Sequence, residues 1–265
     1  MKRPAFTLSI NATAVAAALL ALGMLSQLAT TVNAQKAPSP GCQNLPTESQ
    51  LRTLLVQAQN VNKPIGGLFN GERMWGAVVN RDGAICSFTT STGDPTQVWP
   101  GSQAIAKAKA YTANAFSLDD LPLSTARLYT FTQPGHSLWS LGQSNLFNSQ
   151  FLAPPSGQNG GQGEIAGGLI FFGGGVPLYR NGKIIGALGI SGDTSCADHE
   201  IAKRVRDLAN LNPAGGALVD DIVYSGPDPA SVFAHPVCLN TYRNGTKIGS
   251  EATATYPFVA PTPAP

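Results

Sequence analysis

The sequence predicts one α/β domain of the α+β type: a central antiparallel sheet of about five strands flanked by helices. Three observations carry this. Helical and extended patterns follow one another as α-β-β-α-α-β-β-β-α, so the strands cluster as hairpins instead of alternating singly with helices. Asn80-Arg81-Asp82-Gly83 and Arg180-Asn181-Gly182-Lys183 supply the turns that close antiparallel pairs. The composition is that of a turn-rich globule: 29 glycines and 20 prolines in 265 residues, with 12% charged residues against the roughly 25% usual. A coiled coil and a charged disordered chain are excluded on the same numbers. Seventeen basic against fifteen acidic residues give no electrostatic footprint for nucleic acid.

Residues 1–34 read as a signal peptide. Lys2 and Arg3 form a positive start, Ala14 to Leu25 is an uncharged apolar run, and Val32-Asn33-Ala34 offers small residues for cleavage. Twelve helical residues rise only about 18 Å, short of a hydrocarbon core of roughly 30 Å. No later segment is apolar enough to span a membrane, so the expected location is secreted or periplasmic. Cys42, Cys86, Cys196 and Cys238 all follow the cleavage site and form no CxxC pair. An even number in an oxidising compartment predicts two disulfides.

Residues 35–46 hold Pro38, Pro40 and Pro46 and read as an extended leader. The domain proper is expected over 47–211. Thr47-Glu48-Ser49-Gln50 fits a capping box, followed by Leu51, Leu54, Leu55 and Ala58 at helical spacing. Met74 to Val79 and Ala84 to Thr90 make the first hairpin. A second helix runs from Gln103 to Phe116, capped by Ser102, and a third from Thr125 to Thr132, ended by Pro134-Gly135. Residues 135–164 form a long Gly-, Ser-, Asn- and Gln-rich loop of the kind that carries function or moves. Gly168 to Phe172 and Val176 to Tyr179 are short strands around Gly173-Gly174-Gly175, Ile184 to Ser191 is the partner strand, and Ala197 to Leu211 is the last helix. Residues 212–265 read as an irregular C-terminal extension.

Few catalytic motifs survive inspection. Gly173-Gly174-Gly175 lies between strands, so it reads as a tight bend or close backbone approach, not a phosphate cradle. Gly189-Ile190-Ser191-Gly192 lacks nucleophile-elbow spacing. His199-Glu200 opens like a zinc-protease motif, but position 203 is Lys. Asp119-Asp120 and Asp220-Asp221 read as solvated turns, because chain neighbours do not face one another. What remains is three histidines, His136, His199 and His235. Neutral imidazole is a common ligand for haem iron. His199, near a helix N-terminus, has its protonated form disfavoured, which leaves a nitrogen free for metal.

Four pieces of the stretch from Met74 to Leu211 resemble the GlcG/HbpS-type haem-binding family. They are Gly76 to Gly83 in the early hairpin; Trp99-Pro100-Gly101-Ser102 leading to Lys109-Ala110-Tyr111-Thr112-Ala113; Gly173 to Leu178; and Gly186 to Asp193 continuing through Ser195-Cys196-Ala197-Asp198-His199-Glu200. The resemblance implies a profilin-like, GlcG-like single domain, assembly into dimers or larger rings, and binding of haem or a related tetrapyrrole. No family-wide iron ligand maps onto one position, and the look-alikes have Gly where this chain has His136.

The first expectation is therefore an exported haem-binding protein, in haem capture or redox sensing, with haem as cofactor. His199 or His136 would meet the iron, with His235 ranked last because it precedes Pro236 in the tail. Lys109 would pair with a propionate, and Phe172, Phe171 or Trp139 would wall the porphyrin. Two rival readings are an enzyme or accessory protein acting on a small organic acid in a glycolate-type pathway, and a ligand-free oligomeric scaffold. Against the enzyme stands the lack of a nucleophile–base constellation or metal-ligand spacing. The expected disulfides are Cys86–Cys196, on the view that the last core strand lies beside the first hairpin, and Cys42–Cys238, tying leader to tail. The alternative is Cys42–Cys86 with Cys196–Cys238.

Overall fold

The structure is a computed structural model, described here for residues 41–61, 63–152 and 160–251. The expected signal peptide, and the leader up to residue 40, lie outside the described residues. Among the described residues no helix is long and apolar enough to cross a membrane.

The first helix, α1 (Glu48–Gln59), starts as its sequence dictates. Thr47 Oγ1 accepts from the Gln50 N–H at 3.4 Å, and Gln50 Oε1 accepts from the Thr47 N–H at 2.9 Å. Its Leu51, Leu55 and Ala58 face inward. Strands β1 (Trp75–Asn80) and β2 (Ile85–Thr90) form the first hairpin, and β3 (Gly175–Arg180) and β4 (Lys183–Ser191) the second. The second turn holds Asn181 at φ 51° and Gly182 at φ 73°, the paired positive values that let a two-residue turn follow the strand twist. The two hairpins join through β1 and β4 in a four-stranded antiparallel sheet of order β2-β1-β4-β3. Pro177 sits on edge strand β3, where its missing N–H costs little.

Both faces of the sheet are covered, which is why all six residues of β1 are buried and its sequence does not alternate. Val78, Leu188 and Ile190 pack with α1 and with the last helix, α3 (Ser195–Leu208). Trp75, Ala77, Val79 and Ala187 pack with the middle helix, α2 (Gly101–Phe116). α2 presents Ala106, Ala110 and Ala113, and it lies very close to the sheet. A Cβ at Gly189 would meet the Ala106 carbonyl oxygen at 2.0 Å.

The structure departs from the expectations in several places. The sheet has four strands, because residues 168–172 do not join it: Ile170 N–H donates to Thr112 Oγ1, and the Phe172 carbonyl accepts from Thr125 Oγ1. Side chains thus take the backbone groups a fifth strand would have paired. The expected helix at Thr125 to Thr132 is two short 3₁₀ turns, Thr125–Leu128 and Thr130–Thr132. Its Thr125 is drawn to Gly175 instead, accepting that residue's N–H at 2.9 Å.

The disulfides are Cys42–Cys86 and Cys196–Cys238, not Cys86–Cys196 with Cys42–Cys238. Cys86 lies on β2, which β1 separates from β4, so β2 and β4 stand about 10 Å apart. Cys86 is also near the Val79 end of the sheet, whereas Cys196 follows the Ser191 end. The leader runs past β2, where Ser87 Oγ donates to the Pro46 carbonyl, and there Cys42 meets Cys86.

The segment after Pro213 packs onto the domain. It contributes a parallel two-residue pair, β5 (Val223–Tyr224) with β6 (Ala234–His235), and a small hairpin, β7 (Thr241–Arg243) with β8 (Thr246–Gly249). Arg206 fastens it: its guanidinium bridges both Asp220 carboxylate oxygens at 3.0 and 2.6 Å, with both side chains fully buried. Asp220 and Asp221 are therefore buried ion-pair partners, not the solvated turn their adjacency suggested.

Candidate functional site

The residues that drew attention in the sequence converge where α3 begins, at the open end of β4. Thr194 caps α3 by accepting the Ala197 N–H. Asp193, just before it, accepts the N–H groups of Leu68 and Phe69 at 2.7 and 2.8 Å. Asp198, in the first turn, accepts the Asp193 N–H on one oxygen and the Lys109 ammonium on the other, at 3.0 and 2.7 Å. Lys109 reaches it from α2 and also donates to the Ile190 carbonyl. Burial pushes the Lys109 ammonium down and the Asp198 carboxyl up to about 6, and each partner holds the other back.

The triple glycine makes room for this. A Cβ at Gly174 would meet Lys109 Nζ at 2.7 Å and Asp198 Cβ at 2.9 Å, and its φ of +119° is one that side chains avoid. A Cβ at Gly173 would meet the Ser195 carbonyl at 2.4 Å and His199 Cβ at 3.0 Å. The segment is a close-packing device, as its position between strands implied.

His199 lies one residue further along α3 and is 1% exposed. Its Nε2 is 3.2 Å from Asp221 Oδ1, but the approach is off-axis and neither ring nitrogen completes a hydrogen bond. Burial holds this imidazole below its ordinary pKa. Burial also opposes ionisation of Asp221, yet the His199 contact and the Lys203 ammonium together keep it well below the usual carboxylate range. Lys203 bridges Asp221 and Glu200 at 2.8 and 3.0 Å.

His235, ranked last in the sequence, turns out to belong to this cluster. Its Nδ1–H donates to the Pro236 carbonyl at 2.7 Å, and its Nε2 accepts the Gly173 N–H at 3.2 Å, with Ser195 Oγ at 3.4 Å. Burial lowers its pKa to about 4. Sequence reasoning missed it by assigning the tail to a separate extension. Cys238, three residues on and bonded to Cys196, was the signal that brings it here.

His136 is placed elsewhere. It is exposed, in the loop before the helical turn Leu141–Ser144, and its carbonyl accepts the N–H of Trp139, itself 52% exposed. Among the described residues no side-chain hydrogen bond holds the imidazole.

A family model described as haem degrading protein HbpS-like matches residues 68–207. The chain belongs to the HbpS-like family. The matched stretch runs from before β1 to the end of α3, so the tail with Asp221, His235 and Cys238 lies outside it. An uncharacterised 15.0 kDa protein from a dhaT–dhaS intergenic region of Citrobacter freundii is 34% identical over 99 residues, 37% of this chain. The chain spans about half of that relative, 52% of its length. The Klebsiella pneumoniae protein ORFY is similar at 24% identity over 62% of this chain and 88% of its own, with a TM-score of 0.42. The PduOC–haem complex is similar at 24% identity over 62% and 92%, with a TM-score of 0.43. Streptomyces reticuli HbpS, as a double mutant, is similar at 18% identity over 61% and 82%, with a TM-score of 0.37.

Against the family's description, the candidate haem contacts divide sharply. Lys109 has no exposed surface and is committed to Asp198 and the Ile190 carbonyl, so it offers no propionate contact. Phe172 is half-buried with the Lys109 ammonium 4.9 Å above its ring. Phe171 is buried edge-on to Phe116. His199 faces Asp221 behind the glycine segment. Among the described residues, clefts of about 470, 620, 150 and 370 Å³ have no histidine in their walls. His199 is 1% exposed, whereas the imidazole of His136 is open to solvent.

Proposed function

We propose that this protein is exported and binds haem, or a related tetrapyrrole, on the surface that carries His136. The observation that supports this reading is exposure: of the three histidines, His199 and His235 are each 1% exposed, while His136 stands open. Its surroundings suit a flat, largely apolar ligand. A Cβ at neighbouring Gly135 would meet nothing within 4 Å, and the ring of Trp139 is half exposed within one turn. A neutral imidazole is a suitable donor for haem iron. Bound haem would supply an iron centre able to change oxidation state; this chain's part is to hold it and shield one face.

Export is supported by the reading of residues 1–34 as a signal peptide and by the two disulfides, which persist in oxidising compartments. A homo-oligomer is proposed with it, since exposed Leu118, Leu121 and Leu146 leave apolar surface uncovered in one chain. The test is titration of the exported chain with haemin, read in the Soret band, with light scattering for oligomer size. A saturable change is expected. A linear change, matching haemin in buffer, overturns the haem reading.

A further inference from the structure

The disulfide Cys196–Cys238 is built into a set of metal donors. Cys196, Cys238 and His235 are all buried, and their donor atoms lie within 4.8 Å of one another. The set joins two separate parts of the chain, the first turn of α3 and β6 with the loop that follows it, and lies mostly outside the family match. It is also apart from His136.

The surroundings of each donor favour a ligating state. His235 gives its Nδ1–H to the Pro236 carbonyl at 2.7 Å, which fixes the tautomer and leaves Nε2 unprotonated, its pair taking the Gly173 N–H at 3.2 Å, a contact that a metal ion would displace. A ligating histidine ordinarily has its other nitrogen held in this way. Cys238 Sγ accepts the Cys196 N–H at 3.2 Å, and Ser195 Oγ lies 3.4 Å from it. The Cys196 N–H belongs to the first turn of α3, whose dipole also favours a negative sulfur. Ser195 Oγ is 3.4 Å from His235 Nε2 as well, so a hydroxyl stands between two of the donors.

We propose that opening the Cys196–Cys238 disulfide creates a Cys₂His site for a thiophilic cation, Zn²⁺ in the first instance. Two thiolates and one imidazole suit such an ion, with Ser195 or water in the fourth tetrahedral position. The reductant is a dithiol or a phosphine. It delivers two electrons and turns the S–S bond into two thiols; a dithiol gives up its two thiol protons and leaves as its own disulfide, while a phosphine takes the oxygen of one water, whose two protons go to the sulfurs, and leaves as its oxide. Metal binding then releases the two thiol protons and forms two S–metal bonds and one N–metal bond. Reoxidation by a small-molecule disulfide takes two electrons from the two metal-bound thiolates, re-forms the S–S bond, expels the cation and leaves the oxidant as two thiolates. The site therefore holds metal only when reduced.

The test uses the exported chain, reduced with a phosphine, freed of excess reductant without air, and titrated with Co²⁺ and then Zn²⁺. Uptake of one Co²⁺ per chain is expected, with sulfur-to-cobalt charge-transfer absorption that Zn²⁺ abolishes and that the oxidised chain does not show. His235→Gln should weaken Co²⁺ binding at least ~10-fold. Cys42→Ser/Cys86→Ser should leave the signal in place, since those sulfurs belong to the other disulfide. Absence of stoichiometric uptake overturns the proposal, as does equal uptake by the oxidised chain or indifference to His235→Gln. Loss of the near-ultraviolet circular dichroism on reduction, not restored by the metal, overturns it too, because the site requires the folded juxtaposition. If the double serine variant does not fold, the His235→Gln comparison decides.

Discussion

Lys109 Nζ lies 2.7 Å from Asp198 Oδ2 with neither side chain more than 2% exposed, and it joins the helix on one face of the sheet to the helix on the other. The pair passes the sheet where three glycines leave space, and the Ile190 carbonyl takes a second ammonium proton. Removing one partner strands the other in the interior. Lys109→Met and Asp198→Leu are therefore each expected to lower stability by about 3–5 kcal/mol, whereas the two together should cost less than either single change. Denaturant unfolding of the four proteins checks this; additive losses would contradict it.

Close approach of α2 to the sheet rests on Gly189. Its added Cβ would strike the Ala106 carbonyl at 2.0 Å and the Ala110 nitrogen at 2.4 Å, both rigid backbone. Gly189→Ala should cost about 3 kcal/mol or more. Gly101→Ala, where nothing lies within 4 Å, should change stability by under ~1 kcal/mol. Comparable thermal midpoints for the two variants would be inconsistent with this packing.

His235 makes stability fall with acid. Its folded pKa of about 4 lies below the ordinary 6.5 of a free imidazole, so below pH 6.5 the unfolded chain takes up a proton that the folded chain refuses. That contribution is present above pH 6.5 and is lost as pH falls towards 4, by about 3 kcal/mol in all. Asp198, raised to about 6, acts in the opposite direction over the same range. The quantity to measure is thus the stability difference between wild type and His235→Gln, in which Asp198 cancels. That difference should shrink from pH 7 to pH 4; a constant difference would contradict it.

The disulfides close loops of 44 and 42 residues. In the chain-entropy view each is worth about 4 kcal/mol. Peptide mapping without reduction should recover Cys42 with Cys86 and Cys196 with Cys238, and any crossed pair would contradict the sheet order.

Local signals were read well from the sequence. The capping box at Thr47, both hairpin turns and the amphipathic α3 depend on residues close in the chain, and each formed as expected. The glycine triple was also read correctly as a bend, though not what it accommodates. What failed depends on partners far along the chain. Thr125 bonds to Phe172 and Gly175, which cannot be seen from its own neighbours and which dissolves both an expected helix and an expected strand. Lys109 reads as a ligand-facing cation until α3 supplies Asp198. Asp221 and His235 lie in a tail of weak periodicity, so nothing local announces their burial.

The central claim is that haem meets this chain at His136. The most direct measurement is a Soret-monitored haemin titration of wild type beside His136→Ala and His199→Ala. The account predicts a shifted ferric band and at least ~10-fold weaker binding for His136→Ala, with the spectrum of His199→Ala unchanged while that variant remains folded. An unchanged spectrum and affinity for His136→Ala, together with saturable binding by wild type, would contradict it.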